Sequence, residues 1–523
     1  MKLHHLKPLR VAVSLIYLAL IGFLFLDLWS SVSPSTAQGV LYLQFVPSFL
    51  NFLDAAAIGA AGFMVILFLT AFFGRVYCSV LCPLGILQDV IGHVARKWRK
   101  RPGFKLTKPH NRLRYSILGL TAALLITGSG LLLNLLDPFS SFGRIFTNLF
   151  RPLAIGLNNT ATSALEPMGV HSLHLVQGGA IAPLSLGIAL ATLILLIWLA
   201  ARHGRLYCNT LCPVGALLGL VSKTALLRLD INHDTCKGCK LCAGVCKAGC
   251  IDVENKTIDA SRCVSCFNCL TVCKMNGLHF EKVWQKKEPA PLPDYQRRDF
   301  MTSSGMYLIG LTGVSEPLKK ILQSRPTTIP LRITSPISPP GSISIEHFTS
   351  TCTTCHLCVS ACPSRVLTPS ALEFGLQGIM QPRLDFRKGH CNYDCNICTT
   401  ICPSGALKPL SVEQKKQTQL GVAQFIKENC VVFTDHTNCG ACSEHCPTKA
   451  VDMVPFPNNA GKKLVIPKVN PDICVGCGGC EHACPTKPYK AIYVDGNPVH
   501  KKAQKPVVKK INNQVDYKKD FPF

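Results

Sequence analysis

CKGCKLCAGVC, residues 236–246, sets Cys236, Cys239, Cys242 and Cys246 in the spacing C-x2-C-x2-C-x3-C. CVSCFNCLTVC, residues 263–273, repeats it with Cys263, Cys266, Cys269 and Cys273. A cubane of four irons and four sulfides needs four thiolates at its corners, and two-residue gaps let one loop wrap three irons. In such paired runs the first three cysteines hold one cluster and the fourth crosses to the other. One expected set is therefore Cys236, Cys239, Cys242 and Cys273. The second is Cys263, Cys266, Cys269 and Cys246.

The same arithmetic closes twice more. Cys352, Cys355 and Cys358 pair with Cys402, and Cys391, Cys395 and Cys398 with Cys362. Cys430, Cys439 and Cys442 pair with Cys484 across a long gap, and Cys474, Cys477 and Cys480 with Cys446. The pattern predicts six 4Fe-4S clusters in three α+β double-cluster ferredoxin modules of bacterial type. Proline follows the fourth cysteine at Pro363, Pro403, Pro447 and Pro485, whereas the first module has Lys247 and Lys274 there. A cation so placed raises a cluster's potential. The chain has 29 cysteines. Their clustering argues against a disulfide framework, and zinc sites rarely use four thiolates in one such run. Cys250, four residues after Cys246, reads as a buried thiol beside a cluster rather than an alternative ligand.

The N-terminal half is a different material. Hydrophobic residues make up 48% of the chain and mean hydropathy is +0.26. Four apolar runs, 11–29, 55–73, 115–136 and 181–200, approach the ~20 residues that span a bilayer. The first reads as an anchor, since further spans follow it. The segment 74–114 carries ten Lys or Arg and one acid, Asp89; the segment 30–54 carries no Lys or Arg. The positive-inside rule then puts the N-terminus, 74–114 and the residues just after 200 in the cytoplasm.

The two halves of this region form an internal repeat. GRVYCSVLCPLG, residues 74–85, returns as GRLYCNTLCPVG, residues 204–215. Cys78 and Cys82, like Cys208 and Cys212, share a helix face at i and i+4, and Pro83 and Pro213 open a turn beside them. Arg75, Tyr77, Arg205 and Tyr207 suit the membrane interface. If the repeats are symmetric, the four thiols converge on the cytoplasmic side near the first module. They suit a metal or cluster, dithiol chemistry, or plain packing. The outer stretch FGRIFTNLF, residues 142–150, is either an interfacial helix or a packed one.

These readings divide the chain into a four-helix transmembrane domain (1–225), module one (226–285), a linker (286–345), module two (346–412), module three (413–495) and a basic tail (496–523). Within the linker, YQRRDFMTSSGMYLIGLTGV, residues 295–314, has the form of a twin-arginine export signal at Arg297 and Arg298. It implies a multi-pass protein of the bacterial inner membrane, with module one cytoplasmic and modules two and three periplasmic.

With its two Gly-Arg-x-Tyr-Cys-x3-Cys-Pro motifs and first module, the N-terminal half resembles NapH-type membrane ferredoxins of periplasmic nitrate reductase systems. These are related to the membrane domains of the nitrous oxide reductase regulator and of a cytochrome oxidase assembly ferredoxin. From the twin arginines on, SPPGSISIEHFTSTCTTCHLCVSACP resembles the exported NapG type, so the chain looks like a NapH–NapG fusion. The resemblance implies a quinol dehydrogenase component, taking electrons from the quinone pool to a periplasmic reductase or its cytochrome partner.

The residues themselves imply a wire embedded in lipid, which needs a donor and an acceptor. No clear flavin or nucleotide motif is present. The formal charge of +26 counts cysteines as neutral, and its basic residues gather beside apolar runs and in the tail, which argues against nucleic acid. Quinol oxidation releases protons, and Asp137, Glu166, His171 and His174 in the outer loop are candidate acceptors. The alternatives are an assembly or maturation factor that reduces a metal or thiol for another metalloenzyme, and a passive scaffold.

Overall fold

The computed structural model describes residues 5–29, 31–55, 61–99, 104, 110–169, 171–179, 182–273, 275, 277–282, 335–456 and 464–505. The twin-arginine stretch, Lys274 and the residues after 505 lie outside them.

Among the described residues two helices, Leu6–Leu26 and Pro183–His203, are long and apolar enough to cross a membrane. The other two expected spans are not continuous. The run 115–136 is split into Asn111–Ile126 and Leu131–Leu136 by a turn with Gly128 at φ 80°. Its sequence, Thr-Gly-Ser-Gly, favours a turn over a helix interior. In the run 55–73 the described helix is the 12-residue Gly62–Phe73, and the shorter helix Phe45–Ala55 precedes it.

Each Gly-Arg-x-Tyr-Cys motif sits where an apolar helix stops. Gly74 (φ 72°) ends Gly62–Phe73 and Gly204 (φ 65°) ends Pro183–His203, in backbone conformations that a side chain would strain. Short helices follow, Val76–Val80 and Leu206–Thr210, and then Pro83–Arg99 and Pro213–Ser222, each opened by its proline. The stretch 142–150 belongs to the helix Pro138–Ile145 and the π-turn Phe146–Phe150, with Phe142 and Ile145 fully buried. It is a packed helix, not an interfacial one.

The cysteine-rich parts are α+β. In the first, Leu227–Ile231 pairs antiparallel with Leu278–Lys282, and Ile251–Asp252 with Thr257–Ile258. In the second, Leu367–Pro369 pairs with Pro382–Leu384, Val451–Phe456 with Leu464–Val469, and Thr418–Phe425 with Ile492–Lys502. That last strand continues past a register shift between Gly496 and Lys501, so residues 496–502 belong to the sheet rather than to a tail. The end of the expected linker is folded too, Ser335 N–H bonding the Asp495 carboxylate at 2.8 Å.

The two cysteine-rich parts dock on opposite ends of the helical domain. At one end Lys7 donates to Thr271 (3.4 Å), Arg114 to the Ser261 carbonyl (2.9 Å) and Ser222 to the Ala260 carbonyl (3.0 Å). At the other, Gln38 donates to the Thr400 carbonyl (2.6 Å) and Arg144 to Thr354 Oγ1 (2.9 Å), while Asp54 pairs with His347 (3.0 Å) and with Lys408. The helix Leu6–Leu26 runs between them, with Lys7 near the first end and Phe25 near the second. Eighteen residues at ~1.5 Å rise put these ends roughly 27 Å apart.

A Cβ at Gly143 would overlap the Cys355 carbonyl and crowd the Phe25 ring. Gly143→Val should therefore loosen the second cysteine-rich part by about 1–3 kcal/mol, the usual cost of overpacking. Faster proteolysis of residues 335–505 with an intact helical domain is the expected readout.

Candidate metal centres

The cysteines predicted to act together lie together. Cys236, Cys239, Cys242 and Cys273 line one cavity. Cys246, Cys263, Cys266 and Cys269 line a second, with the crossing of fourth cysteines that the spacing predicts. Cys430, Cys439, Cys442 and Cys484 line a third, so the long gap after Cys430 does not carry it away. Cys358 lies within electrostatic reach of Cys352, Cys355 and Cys402, and Cys398 of Cys362, Cys391 and Cys395. Cys480 stands in the same relation to Cys446, Cys474 and Cys477.

These donor sets fit a cluster. Burial pushes the Cys442 thiol up to about 11, and burial with neighbouring thiols pushes Cys477 up to about 12. Several thiolates close together in an apolar site need a cationic core to balance them, and iron bound to sulfide supplies one. Among the described residues no group of three or more His, Cys, Asp or Glu is set to hold a single metal ion.

Cys250 is buried in the second cavity, its sulfur 3.5 Å from that of Cys246 and also in hydrogen-bonding range of Cys263. It touches two expected ligands rather than packing remotely.

The order of the quartets follows from contacts. In the first part, Cys263 and Cys266 face the helical domain through Ser261, Ser265 and Lys247, while Cys239 is exposed. In the second part, the backbone carbonyl of Cys355 lies against Gly143 and Phe25. Cys358 and Cys398 share one apolar cluster, and Cys391 N–H bonds the Cys477 carbonyl at 2.9 Å. The sequence from the helical domain outward is therefore the Cys352 set, the Cys391 set, the Cys474 set and the Cys430 set.

The four thiols of the repeat converge, but deep in the helical core rather than at an interface. Cys78, Cys82, Cys208 and Cys212 are all 2–4% exposed, and Cys82 lies within electrostatic reach of the other three. Val76–Val80 ends before Cys82, whose N–H reaches back to the Tyr77 carbonyl at 2.9 Å. The pairs are held by a reciprocal cross. Arg75 donates to the Cys208 carbonyl at 3.1 Å, and Arg205 donates to the Cys78 carbonyl. A Cβ at Gly85 or Gly215 would collide with those carbonyls and with the arginine of the other repeat.

Arg75, Tyr77, Arg205 and Tyr207 are likewise in the core, correcting their expected interfacial placement. A chain folded onto both sides of the motif replaces the headgroups that Arg and Tyr would otherwise meet. The arginines face the first cysteine-rich part, Arg75 bonding the Ser261 carbonyl at 3.1 Å. The tyrosines face the other way: Tyr207 bonds the Leu136 carbonyl at 3.0 Å, and Tyr77 accepts from Phe45 N–H at 3.3 Å.

Asp89, read only as a lone acid in a basic loop, is a junction. It pairs with Arg10 (3.3 Å), Arg205 (2.8 Å) and Lys247 (3.0 Å). Burial raises its pKa, but Arg205 and the other cations more than offset that and hold the carboxyl well below its usual range. Lys247, placed by the sequence next to a cluster, thus also ties the first part to the helices. Of the four candidate proton acceptors, Glu166, His171 and His174 are exposed. Asp137 is buried and caps the helix Pro138–Ile145, accepting from Ser140 N–H (2.8 Å) and Oγ (2.7 Å).

Cysteine quartets in short α+β units against an apolar helical domain define an iron–sulfur protein of the ferredoxin type. The comparisons agree. A family described as a 4Fe-4S binding domain matches residues 55–102 and again 185–232, and a 4Fe-4S dicluster domain matches 437–487. The second of the paired matches begins 130 residues after the first (185 against 55), as Cys208 follows Cys78. The ferredoxin-type protein NapH of Haemophilus influenzae is 26% identical over 265 residues, 48% of this chain and 75% of that protein. The methylamine utilization ferredoxin-type protein MauN of Paracoccus denitrificans is 28% identical over 206 residues, 39% and 59%. An uncharacterized Methanocaldococcus jannaschii protein is 34% identical over 96 residues, and this chain spans 38% of its length. No solved structure matches. The chain is a homologue of the NapH and MauN ferredoxin-type proteins and carries 4Fe-4S ferredoxin domains.

His356 joins the second cysteine-rich part to the helical domain. Its Nε2–H donates to the Met380 carbonyl (2.9 Å), and Nδ1 accepts from Asn148 Nδ2 (3.3 Å). Burial lowers its pKa from 6.5 to about 3, so the folded state holds it neutral. Its contribution is complete above pH 6.5 and is lost as pH falls toward 3, on the order of 3 kcal/mol by pH 4. Acid titration of domain docking, followed by proteolysis, should lose this phase in His356→Gln.

Proposed function

We propose that the chain is a membrane-bound electron conduit that takes electrons from the quinol pool and delivers them through six 4Fe-4S clusters to a redox protein on the opposite side. The supporting observation is the docking of the two cysteine-rich parts at opposite ends of one apolar helical domain. A scaffold for a single-sided enzyme has no need of that arrangement. In this reading the helical domain spans the bacterial inner membrane with four apolar elements, two of them broken. The first module faces the cytoplasm. The second and third modules, the NapG-like half, face the periplasm, where the acceptor is a reductase or its cytochrome partner. Names such as NapH and MauN attach relatives to ferredoxin-type roles, which suits electron supply to another enzyme.

The competing role is a maturation factor whose repeat thiols reduce a client's metal or disulfide. Thiol exchange requires an accessible thiolate, and all four thiols are buried.

Two measurements test this reading. Protein replete with clusters, in liposomes, should bleach its iron–sulfur absorbance on addition of a quinol analogue; no bleaching with any quinol type would end the quinol assignment. Separately, Cys273→Ser should eliminate the cluster of Cys236, Cys239 and Cys242, and Cys246→Ser that of Cys263, Cys266 and Cys269. Loss of the opposite electron-paramagnetic signal in either variant would refute the crossed ligation.

A further inference from the structure

The conduit has a gap. The first cysteine-rich part touches the helical domain near Lys7 and Arg10, and the second touches it near Phe25. Electron tunnelling falls off exponentially with distance, so a stretch of roughly 27 Å without a cofactor would stall transfer. The helix Leu6–Leu26 marks what lies between. Tyr17 stands about midway, and Gln44 links its hydroxyl (2.9 Å) to the Leu81 carbonyl (3.2 Å), next to Cys82.

We propose that Cys78, Cys82, Cys208 and Cys212 hold a further iron–sulfur cluster of the cubane class, which relays electrons across the helical domain between the two cysteine-rich parts. The assignment rests on the conduit reading for its role, but its chemistry stands on separate observations.

The first is donor set and symmetry. Four thiols, two from each repeat, come together in one apolar core, with Cys82 within electrostatic reach of the other three, and neither pair is joined as a disulfide. The family described as a 4Fe-4S binding domain covers both Cys-x3-Cys pairs and ends before Cys236, so its description applies to a stretch without ferredoxin runs.

The second is charge. Arg75 and Arg205 are fully buried beside the thiols. Arg75 aims Nη2 at Cys78 Sγ (3.8 Å), and its contacts are otherwise Asn209 and backbone carbonyls, with no carboxylate among the described residues. Among the described residues Arg75 Nε and Arg205 Nη2 have no hydrogen-bond partner. Gln88 Nε2 points at Cys208 Sγ (3.3 Å) and Gly215 N–H at Cys212 Sγ (3.3 Å). Buried cations and donors aimed at sulfur call for an anionic centre there, which four thiolates around a cluster supply.

The redox step is simple. The relay site gains one electron from the cluster on one side and loses one to the cluster on the other. No bond forms or breaks and no proton moves.

Iron content and Mössbauer spectra of the full-length chain, with one-sided reduction in liposomes by membrane-impermeant dithionite, test the proposal. The wild type should contain four irons per chain beyond those of the ferredoxin quartets. The double variant Cys82→Ser/Cys212→Ser should lack those four and keep the ferredoxin signals. One-sided dithionite should reduce the clusters of both parts in the wild type and of only the near part in the variant. An unchanged iron count in the variant, or far-side reduction at the wild-type rate, would overturn the proposal. If the variant assembles no clusters, the wild-type count decides: no irons beyond the ferredoxin quartets overturns it. Extra irons that the variant loses, together with no transfer across the wild-type membrane, would retain the cluster and refute the relay and conduit.

Discussion

Two buried guanidiniums cross between the halves of the repeat, and the helical domain is organised around them. Arg75 and Arg205 each bind the carbonyl of the other repeat's first cysteine. A buried guanidinium is costly unless its donors are used, and one donor of each is used on the backbone that carries the thiols. The crossing fixes the separation of the two Cys-x3-Cys loops and explains why Gly85 and Gly215 lack side chains. It also extends outward, because the Arg75 guanidinium reaches the Ser261 carbonyl, and the Arg205 backbone N–H reaches the Lys247 carbonyl at 2.9 Å. One interaction thus sets the thiol quartet and seats the first cysteine-rich part against it.

Each end of the helical domain is closed by one acid. Asp89 gathers Arg10, Arg205 and Lys247; Asp54 gathers His347 and Lys408. In both cases the cysteine-rich part brings a cation to a carboxylate of the helices. Paired and partly buried, such contacts hold orientation more than they add net stability. Orientation is what a chain of redox centres needs, since an altered docking angle lengthens the gap between neighbouring clusters.

The ferredoxin quartets were legible in the sequence because their ligand spacing is local, and the crossing of Cys246 and Cys273 follows from the repeat alone. The repeat thiols were legible as a pair of pairs. Their depth was not, because Arg and Tyr beside an apolar run have the same local pattern against headgroups as against folded protein. The broken helix at 127–130 was hidden because its flanks are apolar enough to read as one span. Docking at opposite ends depends on pairs such as Asp54 with Lys408 and Arg144 with Thr354, hundreds of residues apart. No periodicity or motif announces those.

The charge distribution around the thiols also bears on how such a centre would behave. Near it lie Arg75 and Arg205, with Arg114 behind them, while Asp89 is shared among three cations. In a medium of low effective dielectric, surplus positive charge favours the more reduced, more negative state of a nearby centre. The ferredoxin quartets have buried cations of their own: Arg144 lies within electrostatic reach of Cys355, Arg151 of Cys362 and Lys247 of Cys266. Fixed cations thus accompany the cysteine sets from one cysteine-rich part, through the helical domain, to the other. The arginines that build the crossing are therefore also groups that would raise the potential of a cluster held by the four thiols.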